Sequence, residues 1–119
     1  MKVNIEEYLT DELLSPKLRK LKKGMVGIPN TFGHCYVASE ALYHLFFKYI
    51  GFKPYRAKDK EGITHWWLQN KGGYIIDPTA TQYYDRGLYP PYKKGKCGGF
   101  LTKWPSLRAK ILMIRIVEL

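Results

Sequence analysis

The sequence predicts an α+β fold in a single domain spanning residues 1–119, on three observations. Residues 34–50 contain neither glycine nor proline and place Val37, Ala38, Ala41, Leu42, Leu45, Phe46 and Tyr49 at the i, i+3, i+4 spacing of a helix. Strand-like segments follow at 53–58, 63–69 and 73–77, and the turn sequence Lys71-Gly72-Gly73 separates the last two. A chain of 119 residues, 45% hydrophobic and 15% aromatic, can bury one core without staples and is short of the length at which cores divide.

Taken in order, residues 4–14 read as a short helix with Asn4 as N-cap and Glu6 and Glu7 in its first turn. Ser15-Pro16 starts a second, basic helix, Lys17 to Lys23, that stops at Gly24. Gly27, Pro29 and Gly33 mark residues 25–33 as a loop. The helix 34–50 carries Cys35 in its first turn and ends at Gly51 as its left-handed cap residue. Residues 78–101, rich in glycine, proline and aromatic residues, read as a long ordered loop, a length that usually serves function. Residues 106–117 read as a closing helix, and Ile111, Ile114, Ile116 and Val117 would also suit a strand.

The net charge of +10 and the pI near 9.6 favour anionic partners: nucleic acid, acidic protein faces or phospholipid surfaces. No apolar run nears the ~20 residues that span a bilayer, and no apolar core follows Lys2 as in a signal peptide. The expectation is a soluble cytoplasmic protein in which Cys35 and Cys97 stay reduced and no cofactor is implied.

The chemistry centres on three segments. Gly33-His34-Cys35-Tyr36 puts a thiol at a helix N-terminus, where unpaired N–H groups favour a thiolate and can hold an oxyanion. Thr64-His65-Trp66-Trp67 and Ile75-Ile76-Asp77-Pro78 flank the hairpin. A three-residue loop, Asn70 to Gly72, would pair Gln69 with Gly73, Trp67 with Ile75 and His65 with Asp77. Opposed residues share a face with Cβ atoms ~5 Å apart, so Asp77 would accept from His65 Nδ1 and leave Nε2 for the thiol. A two-residue loop would instead turn Asp77 to the other face. Taken singly, each residue also fits an inert structural part: a core cysteine, a satisfied core imidazole and a turn aspartate.

The order of cysteine on a helix N-terminus, histidine on a strand and aspartate on the next strand resembles the transglutaminase-like branch of papain-fold enzymes. That branch includes arylamine N-acetyltransferases and cysteine proteases. Gly33 to Ala41, His65-Trp66, Asp77-Pro78-Thr79-Ala80 with Gln82, and Cys97 to Lys103 with Pro105-Ser106 are similar to small proteins of tailed-phage genomes, over about residues 27–110. The resemblance implies a papain-like, transglutaminase-like fold with the cysteine helix on a small antiparallel sheet. It also implies a Cys35–His65–Asp77 triad acting on a protein or peptide-like substrate through a thioester, in host cytoplasm if phage-encoded. Asn30 resembles the amide that papain-like enzymes set near the oxyanion, and Gln82 is an accessory candidate for the same role; each also fits a turn.

Two rivals stand beside this reading. His34, Cys35, His65 and Cys97 offer a tetrahedral zinc donor set, against which the absence of a close ligand pair counts. The basic blocks 17–23 and 93–103, with Tyr89, Tyr92 and Trp104, suit a module that binds nucleic acid or an acidic protein on a catalytically inactive scaffold, without a recognised binding motif.

Overall fold

The computed structural model describes residues 8–10, 13, 34–100 and 102–118. The expected helices at 4–14 and 17–23 and the loop 25–33 fall largely or wholly outside those residues.

Helix α1 runs Cys35–Leu45. It is followed by strands β1 (Lys53–Lys58), β2 (Thr64–Gln69) and β3 (Ile75–Ile76), and by the single-turn helix α2 (Thr81–Tyr84). The two-residue strand β4 (Lys96–Cys97) and helix α3 (Leu107–Val117) complete the order. The strands form one antiparallel sheet in the order β3-β2-β1-β4, with α1 against it. The α+β class and the helix-on-sheet arrangement are therefore those the sequence predicts.

Helix α1 ends earlier than its periodicity suggests. Phe46 leaves helical geometry at φ −137°, a 3₁₀ turn covers Phe47–Ile50, and Gly51 closes it at φ +86°, which favours glycine. The small residues Ala38 and Ala41 are fully buried on α1 and let α3 approach closely through Ala109, Leu112 and Ile116, an i, i+3, i+7 stripe. Leu9 and Leu13 complete this core. At the start of α3 the Ser106 side chain accepts from Ala109 N at 3.2 Å, an N-cap of the expected type. The Ser106 N–H and Oγ–H both donate to the Glu40 carboxylate, at 2.9 and 2.7 Å, and so tie the cap of α3 to the buried flank of α1.

Strand β2 is covered on both faces, which explains its aromatic run. Trp66 meets Tyr36 of α1 edge-on at 4.9 Å and stacks on Phe100 at 5.5 Å. Ser39 Oγ donates to Trp66 O at 3.3 Å, joining α1 directly to the strand. On the other face His65 and Trp67 stack on each other, centroids 5.7 Å apart. Gly95 faces Trp67 so closely that a Cβ there would overlap the indole.

The β2–β3 hairpin closes differently from the expectation. Leu68 pairs with Ile76 and Gln69 with Ile75, so the loop is Lys71 to Gly73 and not Asn70 to Gly72. The cause is turn chemistry. Asn70 Oδ1 accepts from Tyr74 N at 2.9 Å, and Gly73 takes φ +83° while donating to Asn70 O. The register has moved by two residues, which preserves the face. Continuing it past Ile76 sets Asp77 level with Trp67, one same-face step from His65.

Candidate active site

Cys35 begins α1, where backbone N–H groups have no intrahelical acceptor. Its side chain is 7% exposed and its Sγ donates to Thr64 O at 3.6 Å, which holds the thiol at the start of β2. The neighbouring residue on that strand is His65, which is fully buried. His65 Nε2 lies 2.6 Å from Asp77 Oδ2, with Asp77 on the diagonal same-face position. The contact between His65 and Asp77 was expected, but the nitrogen is reversed: Nε2 serves Asp77, and Nδ1 lies against Gln82. The diagonal step accounts for this, because it brings Asp77 to the far end of the imidazole.

Burial would lower the His65 pKa, but it is outweighed by hydrogen bonds to Asp77 and Cys35 and by their negative charge. The net effect is a rise from 6.5 to about 9. The raised pKa favours the protonated ring, held against the Asp77 carboxylate.

Gln82, on α2, is placed beside the same ring, with Nε2 3.0 Å from His65 Nδ1 and 3.2 Å from Thr79 Oγ1. An amide N–H towards Nδ1 suits a neutral imidazole. When Nδ1 carries a proton, the amide must turn to present Oε1 instead. Gln82 is therefore a ring-positioning side chain in this geometry. Asn30 lies outside the described residues.

Asp77 is held by more than His65. Tyr92 Oη–H donates to Asp77 Oδ2 at 2.6 Å, and Thr79 N donates to Oδ1 at 3.3 Å. Tyr83 packs edge-on against His65 at 4.8 Å and donates its hydroxyl to Asp59 Oδ2 at 2.8 Å. Burial pushes both tyrosine hydroxyls well above their ordinary range, and the carboxylate each one bonds adds to the rise. Neither tyrosine was assigned to this site from the sequence, where Tyr83 sat among many in a loop and Tyr92 was read only as a candidate for the binding module. Their one local sign is proximity to Asp77 and to Pro90-Pro91.

Cys97 is elsewhere, exposed on the edge strand β4 opposite Tyr55. Among the described residues no group of three His, Cys, Asp or Glu side chains could hold a metal ion. No described helix is long and apolar enough to cross a membrane. No protein-family model matches the chain, and neither a curated protein nor a solved structure matches it.

Proposed function

We propose that the chain is a cysteine-nucleophile acyl-transfer enzyme, a protease, deamidase or transglutaminase-like hydrolase, on a papain-like scaffold. The observation that carries this reading is a buried His65 that bonds Asp77 at 2.6 Å and directly follows Thr64, whose carbonyl accepts from the Cys35 thiol at 3.6 Å. A purely structural histidine needs one acceptor, whereas a thiol, an imidazole and a carboxylate in series form a proton path.

In this reading the Cys35 thiolate attacks an acyl carbonyl carbon, forming a C–S bond while the carbonyl oxygen becomes an oxyanion. The N–H of Cys35 at the start of α1 is its donor. The intermediate collapses as the bond to the leaving group breaks, and His65 gives its proton to that group. The neutral imidazole then takes a proton from water or an acceptor amine, which attacks the thioester and restores the thiolate. Asp77 holds the ring and offsets its positive charge throughout.

Iodoacetamide labelling read by mass spectrometry tests the reading. Cys35 is expected to react faster than the exposed Cys97, and His65→Ala is expected to slow Cys35 by on the order of 10²-fold without affecting Cys97. Equal rates at both thiols, unchanged by His65→Ala, would return the chain to the basic binding module on an inactive scaffold.

A further inference from the structure

Two neighbouring cavities lie behind the tyrosines that hold the His65–Asp77 end of the site. A cavity of about 520 Å³ lies between the turn after β1 and the segment leading to β4, walled by Tyr89, Pro90, Pro91 and Tyr92. A second, of about 190 Å³, lies on the other side of Tyr89 and is floored by Tyr83. The two share Asp59, Lys60 and Tyr89. Both are backed by rings that touch the site, since Tyr92 bonds Asp77 and Tyr83 packs on His65.

The larger cavity carries one sign of charge. Lys58, Lys60, Lys93 and Lys94 line it and are exposed, and no ion pair among the described residues engages them. The acid in its lining, Asp59, is turned inward: Oδ1 accepts from Glu61 N and Ile63 N, and Oδ2 from Tyr83. Pro90 and Pro91 have no N–H, so this wall cannot recognise a chain by strand pairing. Contact there falls to side chains, namely the lysine ammonium groups and the 85% exposed Tyr89 ring.

We propose that this groove receives an acidic polypeptide segment of the substrate and docks it beside the His65–Asp77 end of the site. The proposal rests on the acyl-transfer reading and names the substrate class for it. Four unpaired lysines beside a proton-transfer site fit carboxylate side chains flanking a reacting amide, and electrostatic steering raises their local concentration. An oligonucleotide would satisfy the charge but offers no acyl carbonyl to the thiol.

The test uses the full chain carrying Cys35→Ala, so that binding is read without turnover. Fluorescence anisotropy would compare glutamate-rich, neutral and lysine-rich peptides of equal length bearing an uncharged fluorophore, with a single-stranded DNA of matched charge. The glutamate-rich peptide is expected to bind tightest. Lys93→Glu with Lys94→Glu, or Lys58→Glu with Lys60→Glu, is expected to weaken it by roughly tenfold or more. Arg108→Glu with Lys110→Glu, on the exposed side of α3, is expected to have a much smaller effect. Absence of binding, equal affinity for the three peptides, tighter binding of the DNA, or full affinity in both lysine pairs would each overturn the assignment. Iodoacetamide labelling of Cys35, in lysine variants made with the native cysteine retained, reports separately on the triad. A groove that fails with labelling intact refutes the substrate class alone.

Discussion

The Tyr92 hydroxyl and the Asp77 carboxylate are joined by a 2.6 Å hydrogen bond on Oδ2, the oxygen that also receives the His65 Nε2 hydrogen. Asp77 therefore carries a second strong donor, which fixes where it can hold the imidazole. Tyr92→Phe keeps the ring against Trp67, 5.2 Å away, and removes only that donor. Expected are a loss of about 1–2 kcal/mol in urea unfolding and a slower Cys35 alkylation. A variant that loses stability with no change in alkylation would confine Tyr92 to a structural part.

Asp77→Asn is the sharper test of the triad. The amide presents one oxygen and one NH₂ group to a site in which His65, Tyr92 and Thr79 all donate. It can satisfy Tyr92 or His65 on that side but no longer offsets the charge of the ring. Labelling of Cys35, and turnover once a substrate is known, are expected to fall by on the order of 10²- to 10⁴-fold with the fold retained by circular dichroism. Unchanged labelling would remove Asp77 from the mechanism.

The raised pKa of His65 gives a pH dependence with a definite sign. Folding lifts it from 6.5 to about 9, so the protonated ring stabilises the native state fully below 6.5. That contribution is lost as pH rises through about 9, and amounts to roughly 3 kcal/mol at most. Urea unfolding between pH 6 and pH 10 should show this loss, and His65→Gln should flatten it. By NMR, Cys35→Ala is expected to lower the His65 midpoint, because the thiol side contributes to holding the proton.

Glu40 separates stability from chemistry. It is fully buried on α1, and its two oxygens accept from the backbone and side chain of Ser106. Glu40→Ala strands both donors and loosens the cap of α3, so a loss of about 2–4 kcal/mol is expected. Glu40→Gln keeps one acceptor and should lose less. The ratio of Cys35 to Cys97 labelling in the folded fraction should stay as in the wild type.

The parts of the fold set by local pattern were legible in the sequence. Helix α1 with Cys35 at its start and strand β1 over 53–58 follow from periodicity, whereas the choice of helix over strand for 107–117 is settled by the Ser106 cap and packing on α1. The meeting of His65 with Asp77 was also legible, because hairpin parity alone puts them on one face. The register itself was not. Lys71-Gly72-Gly73 admits two three-residue loops, and the Asn70 side chain decides between them. Strand β4 was invisible because two exposed residues, Lys96 and Cys97, carry no alternation. Tyr83 and Tyr92 join Asp59 and Asp77 over 24 and 15 residues of chain, and such pairings arise from packing and not from spacing.

The order β3-β2-β1-β4 has a consequence for how copies of the chain meet one another. Among the described residues the long strands lie inside, and each rim of the sheet is a strand of only two residues. Beyond β4, β1 carries Lys53 and Lys58 at its ends, and Pro54 has no N–H to offer while its carbonyl already accepts from Gly98 N. Beyond β3 the chain turns off at Pro78. A neighbouring molecule seeking to extend the ladder finds too few backbone groups in line, and a protein of net charge +10 repels it first. The β-rich segment around Trp66 and Trp67 is thereby held between two neighbouring strands and away from the rim.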